Sequence, residues 1–368
     1  MMDFLNFYNY KSKIKIHNIN QGEKKMKHTK SSRLGGLIKK TSLALIAGAF
    51  ILSTSIAQAD IKPAVVYDIA GKNDKSFNES VFNGVVRFMG DTGIAVTELE
   101  PTNAAQVEQS LKKLAQRGYG PIVAVGFGMS NAVAAASEAF PDTKFTLIDG
   151  WVMAPNVQMV LYKEHEGSFL VGMMAAMASE SGTVGFVGGM DIPLISRFEC
   201  GYKQGVAYQD SSVKVLANMT GSTPAAFGNP SKGGELTRSQ IEAGADVVYA
   251  AAGGTGIGVY QTAADMGVLA IGVDDNQNYM QPGTMLTSMY KLVGDAAYDS
   301  YEAAMNGSWD PAMRVLGLAE NGVGYAMDEH NADLVSAEMI AAVEAARDAI
   351  IAGDIVVHDY TSDNTCPI

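Results

Sequence analysis

Cysteine and tryptophan are nearly missing from this 368-residue chain, with two of each, and histidine occurs five times. Two cysteines are too few for a disulfide scaffold, and neither has neighbours at metal-ligand spacing. Beyond residue 60 the histidines are His165, His330 and His358, too scattered for a nucleophilic triad or a zinc site. No G-x-S-x-G or H-E-x-x-H occurs, so the common hydrolase signatures are absent, and no cofactor or metal is expected. Nothing after residue 60 has the length and apolarity of a membrane-spanning helix. Basic charge is scarce there too: 17 Lys and Arg face 37 Asp and Glu, a net of -20. Such a surface repels phosphate backbones, which argues against nucleic acid as a partner. The methionines Met173, Met174 and Met177 fall at helix-core spacing rather than in a copper-binding tract.

What is present is a chain 47% hydrophobic and 18% charged, long enough for two domains. Its first 59 residues hold 10 of the 27 basic residues. Arg33, Lys39 and Lys40 precede an apolar run over 43–52, and Ala57-Gln58-Ala59 offers a small-x-small exit. Together these predict a secretory signal peptide cleaved after Ala59, preceded by a leader over about 1–30 that takes no part in the fold. The run is too short for a membrane anchor, and no cysteine follows it to carry a lipid. Export to the periplasm is expected. In that oxidising space Cys200 and Cys366 are expected to pair, contributing about 4–5 kcal/mol by loop closure and tying down the polar tail 361–368. Two buried free thiols are the alternative.

From residue 61 short β-rich runs alternate with amphipathic stretches. Strands are expected near 64–67, 94–99, 122–125, 145–148 and 157–162, and again near 184–187, 213–218, 247–251, 268–273, 285–290 and 313–318. Helices fall between them, the first opened by an S-x-x-E capping box of Ser76 and Glu79. Alternation of this kind gives an α/β fold with parallel sheets. The series runs twice with no long linker, which predicts two lobes joined by short ordered crossings in a hinge arrangement.

Ligands of such sheets bind beyond the strands' carboxyl ends. Asp68, Asp149 and Asp274 each end a strand. Each alone is more readily a helix cap, but three on one edge of two facing sheets suit a ligand rich in donors. Phe77 and Phe198 sit at matching helix starts of the two halves, as core staples or as platforms for a flat ring. The loop 252–258 is glycine-rich yet lacks a phosphate-binding pattern. Lys291 follows a strand and serves either a ligand or a surface ion pair.

The ordered set Asp68-x-x-Gly71, Asp74-Lys75-Ser76-Phe77-Asn78, Gly126-Phe127-Gly128-Met129-Ser130, Leu147-Ile148-Asp149 and Glu166-Gly167-Ser168-Phe169 resembles the basic membrane protein family. The resemblance continues through Gly188-Gly189-Met190-Asp191, Ala252-Gly253-Gly254-Thr255-Gly256 and Gly272-Val273-Asp274, and covers 61–326. It implies a type I periplasmic binding protein: two Rossmann-like lobes, three crossings and a ligand in the cleft. It implies lobes of 60–163 with about 291–318, and 164–290 with about 319–368. It further implies a monomer that captures a nucleoside, purine by expectation, and delivers it to the permease of an ABC importer. By this resemblance Phe77 and Phe198 sandwich the base, and Asp68, Asn78 and Asp149 read its edge. Asp274 and Lys291 hold the ribose hydroxyls, Gly254 approaches the ligand through its backbone, and Asp74 lies in the same loop set. Many relatives are lipoproteins, whereas this chain has a plain A-x-A exit. A pentose or other heterocycle on the same scaffold, a sensor, and an exported nucleoside hydrolase are the other readings.

Overall fold

The computed structural model describes residues 60–368; the signal peptide expected over the first 59 lies outside them. Two six-stranded sheets organise the chain. The first has the order β11-β5-β4-β3-β1-β2 and contains β1 (Ala64–Val66), β2 (Thr97–Leu99), β3 (Ile122–Val125), β4 (Phe145–Ile148), β5 (Val157–Tyr162) and β11 (Arg314–Leu316). The second repeats that order as β12-β10-β9-β8-β6-β7, from β6 (Thr183–Met190), β7 (Lys214–Gly221), β8 (Val247–Ala251), β9 (Leu269–Asp274), β10 (Met285–Lys291) and β12 (Val323–Tyr325). All pairings are parallel except β12, which runs antiparallel to β10. β1, β3 and β8 are buried along their whole length, as strands covered by helices on both faces must be. The type I binding-protein architecture expected from the resemblance is therefore present.

Nine α-helices cover the sheets among the described residues. In the first half lie α1 (Phe77–Thr92), α2 (Ala104–Gln116) and α3 (Ser130–Ala139), and in the second α4 (Glu164–Ala178), α5 (Pro193–Gln209), α6 (Pro230–Glu242) and α7 (Gly256–Met266). α8 (Val293–Met305) returns to pack on α1, and α9 (Ala337–Ala352) packs on α4. Two helix pairs meet backbone to backbone. A Cβ on Gly205 of α5 would stand 1.9 Å from the Phe169 carbonyl oxygen of α4, and one on Gly84 of α1 would stand 2.0 Å from that of Gly294 in α8. Only glycine permits those approaches.

The chain passes between sheets three times: β5 to α4, β10 to α8, and β11 to β12. Hydrogen bonds hold the three segments side by side. Tyr162 Oη donates to the Leu292 carbonyl at 2.9 Å, Leu318 N to Glu166 at 2.8 Å, and Leu292 N to the Gly322 carbonyl at 2.9 Å. One apolar cluster joins Val65, Tyr67 and Phe88 of the first sheet's surroundings to Phe186, Tyr202 and Tyr249 of the second.

α5 and α6 open at Pro193 and Pro230, because proline fits the first helical position with no hydrogen bond lost. β12 was not expected: three residues, Val-Gly-Tyr, carry no strand period. Cys200 and Cys366 are joined by a disulfide, their Cα atoms 5.6 Å apart.

Candidate functional site

The carboxyl ends of the two sheets face one cavity, lined from both sides by polar and aromatic residues. Each sheet's strand order reverses beside β1 and β6, the position at which open α/β sheets form a crevice. The loops after β1, β3 and β4 bring Asp68, Phe127 and Asp149 to the cavity, and the second sheet brings Ala252, Gly253, Asp274 and Lys291. Phe77, at the start of α1, and Phe198, one turn into α5, line it as well. The Lys291 ammonium lies 5.5 Å from the centre of each of these two rings and 5.0 Å from that of Tyr162. The two benzyl groups thus come from different halves of the molecule and share one cationic neighbour.

The loop before α1 is held differently from the capping box read in the sequence. Asp74 caps the helix: Oδ1 accepts from Ser76 N at 2.9 Å and Glu79 N at 3.0 Å, and Oδ2 from Asn78 N at 3.0 Å. Asn78 Nδ2 also donates to Asp74 Oδ2, and Asn78 Oδ1 accepts from Asp68 N, each at 3.0 Å. Asp74 and Asn78 thus line the cavity while their side chains tie the loop together. Ser76 Oγ makes no capping bond; it donates to Asp274 Oδ2, which belongs to the other sheet. Glu79 reaches back to Lys75 instead. An Asp three residues before the first helical turn satisfies three orphan N–H groups, more than a serine hydroxyl can.

Asp149, just after β4, and Asp274, the last residue of β9, occupy matching places in the two sheets, and both adopt left-handed backbone, with φ of 60° and 68°. Non-glycine residues in that region store strain, which is common where side chains are aimed at ligands. Asp149 Oδ2 accepts from Lys291 Nζ, whereas its Oδ1 is buried with no partner among the described residues. Lys291 Nζ donates also to Glu164 Oε1 at 2.7 Å, and Glu164 Oε2 accepts from Arg197 Nη1 at 2.9 Å. An ammonium has three donors, and the third finds no acceptor among the described residues.

Burial sets the protonation of this set. Desolvation pushes Asp274 up to about 7, against the pull of Lys291 and the Ser76 hydroxyl. Desolvation likewise raises Asp149 to about 6, with Lys291 opposing and Glu164 adding repulsion. Asp68 is raised, again chiefly by burial. For Glu164 burial is outweighed by Lys291 and Arg197 combined, which hold it below its ordinary value. Lys291 is itself raised, because Asp149, Glu164 and Asp274 overcome its desolvation.

Of the nine residues singled out from the sequence, eight line the cavity: Asp68, Asp74, Phe77, Asn78, Asp149, Phe198, Asp274 and Lys291. Gly254 is not among the residues that line it. Its neighbour Gly253 lines the space, while a Cβ on Gly254 would meet the Phe227 and Asp74 carbonyl oxygens at 3.4 and 3.5 Å. Those are ordinary contact distances, so packing alone does not require glycine there. Sequence reasoning missed Phe127 and Phe227, whose ring centres stand 6.5 Å apart across the cavity mouth. It missed Leu194 and Ile195, which the Pro193 helix start brings to the wall, and Glu164, whose burial no local pattern announces.

Residues 61–361 match a family model described as ABC transporter substrate-binding protein PnrA-like. An uncharacterised lipoprotein of Pyrococcus abyssi is 33% identical over 72% of this chain and 69% of its own length. A protein of Lactococcus lactis named ABC transporter nucleoside-binding protein BmpA is 29% identical over 87% of this chain and 96% of its own. Among solved structures, an ABC transporter solute-binding protein of Aeropyrum pernix superposes with a TM-score of 0.74 at 26% identity, covering 81% of this chain and 94% of that one. A double sheet with its cavity at the crossover edge and a family match over nearly all described residues agree: the chain belongs to the PnrA-like, or Bmp, family of ABC transporter substrate-binding proteins.

Proposed function

We propose that this protein captures a nucleoside, with preference for purines, and presents it to the permease of an ABC importer. The observation that carries the reading is the pairing of Phe77 and Phe198, contributed by different halves and set around one ammonium. Flat faces on both sides suit a heterocyclic base, and ring contacts of this kind add about 0.5–1.5 kcal/mol each beyond area burial. The polar wall is dominated by acceptors: Asp149 Oδ1 without a partner, Asp68 and Asp274. A ligand with several hydroxyl or ring N–H donors would satisfy them, and Lys291 supplies one donor in return. Asp149 and Asp68 are assigned to the base edge, Asp274 and Lys291 to the ribose. The relative of Lactococcus lactis whose name records nucleoside binding supports the same choice.

In this reading the halves 60–163 with 291–318 and 164–290 with 319–368 close as lobes about the three crossings. The protein acts as a periplasmic monomer released by cleavage after Ala59, and N-terminal sequencing of the exported protein tests that placement. The experiment for the ligand is native mass spectrometry of protein purified without refolding, followed by titration with inosine, guanosine, adenosine, cytidine and ribose. A bound purine nucleoside, and no binding of ribose alone, is the expected result. A pentose reading predicts the reverse. Release of free base from inosine would replace transport by hydrolysis.

A further inference from the structure

The C-terminal tail reaches the cavity only through intermediaries, an unbroken chain of charges that is partly exposed at Asp359 and Arg197 and buried at Glu164 and Lys291. Arg197 spends all five of its donors. Nε and Nη2 grip Asp359 of the tail at 2.8 and 3.1 Å, Nη2 also meets Thr361 Oγ1, and Nη1 divides between the Tyr162 carbonyl at 2.8 Å and Glu164 at 2.9 Å. Glu164 is wholly buried and shares its other oxygen with Lys291, which is 1% exposed and holds Asp149. The tail is seated by the same helix. One turn and two turns along α5 from Arg197, Cys200 carries the disulfide to Cys366, and Gln204 pairs with both backbone groups of His358, at 3.0 and 2.7 Å.

We propose that Asp359, Arg197 and Glu164 are positioning residues for the cleft: the disulfide-tethered tail fixes Arg197, Arg197 fixes Glu164, and Glu164 sets where Lys291 and hence Asp149 stand. The proposal rests on the nucleoside reading above for its effect on affinity, but not for its effect on Lys291. Without the Asp359 carboxylate, Arg197 loses its bidentate partner and has Glu164 as its remaining anionic one. Glu164 is then drawn from Lys291, whose ammonium moves relative to both phenyl rings.

Two readings are taken on Asp359→Asn, Asp359→Glu and the double variant C200S/C366S, with Asp363→Asn as a tail control. The first is the ¹⁵N resonance of the Lys291 ammonium in ligand-free protein, assigned with Lys291→Met. The second is inosine affinity by calorimetry. Asp359→Asn and C200S/C366S should shift the resonance and raise the inosine Kd at least fivefold; Asp359→Glu should restore both in part, and Asp363→Asn should change neither. An unmoved Lys291 resonance in Asp359→Asn overturns the proposal, as does wild-type affinity. If wild-type protein takes up no nucleoside, the functional reading has failed and the resonance alone decides the positioning role. Should Asp359→Asn not fold, Thr361→Val, which removes one acceptor from Arg197, is read the same way.

Discussion

At the scale of single residues the cleft is defined by carboxylates held away from water. Burial pushes the Asp274 carboxyl, bonded to the Ser76 hydroxyl and near Lys291, up to about 7 and the Asp149 carboxyl up to about 6. Ordinary carboxyls in an unfolded chain titrate near ~4. Between those values the folded protein binds more protons than the unfolded one. Stability from these groups therefore falls as pH rises from about 4 to 7, the opposite of a surface carboxylate held low by an ion pair. Ligand binding carries the other sign. A donor hydroxyl or N–H needs the ionised acceptor, so below pH about 7 binding must expel a proton. Inosine affinity should weaken from pH 8 to pH 5.5, with proton release measurable by calorimetry in buffers of different ionisation enthalpy. An affinity flat across that range would remove Asp274 and Asp149 from the contact set. Replacing Lys291 is a separate matter. Lys291→Ala leaves Asp149 and Glu164 buried beside each other without their shared cation, a change expected to cost on the order of 3–5 kcal/mol in a denaturant melt.

At the scale of elements, helix contacts with no room for a side chain set the shape of each half. Gly205→Ala would drive a methyl into the Phe169 carbonyl and pry α5 from α4. Because α5 carries Phe198, Arg197 and Cys200, thermal melting should drop by several degrees and ligand affinity with it. Gly267→Ala, at an open helix end with φ of 69°, tests a purely conformational cost instead and should leave affinity unchanged. Elements were the most legible part of the sequence. Short β-rich apolar runs and amphipathic stretches placed the principal strands and helices, because buried parallel strands are continuously apolar. Caps were less legible. The S-x-x-E pattern found the start of α1, yet Asp74 does the capping, since Ser76 is engaged by Asp274, 198 residues away. Glu164 illustrates the same limit: a carboxylate in a helix start looks like a dipole partner until folding brings Lys291 and Arg197 to it.

At the scale of the whole molecule, the two halves touch across the cavity at a few polar points. Ser76 meets Asp274, the Gln277 amide donates to the Lys75 carbonyl, and Gly254 packs on Asp74. Apart from the hinge, closure rests on contacts of this kind, the Asn83–Asp275 hydrogen bond and the Phe127–Phe227 ring pair among them, and on whatever fills the cavity. Ser76→Ala should loosen closure and lower inosine affinity by about tenfold or more, because a single hydrogen bond to a charged group contributes about 1.5–3 kcal/mol. Small-angle scattering with and without ligand would register the change in compactness. The pairing of Phe77 with Phe198 belongs to this scale too. Sequence placed each at a helix start, but only the repeated strand order of the two sheets brings those starts face to face.

In the proposed complex a flat base lies between those two rings. Calorimetric titration of inosine into wild type, Phe77→Ala and Phe198→Ala tests it most directly. Each truncation should weaken binding at least tenfold, about 1.4 kcal/mol, with the fold intact by circular dichroism. Wild-type affinity in either variant would contradict the account.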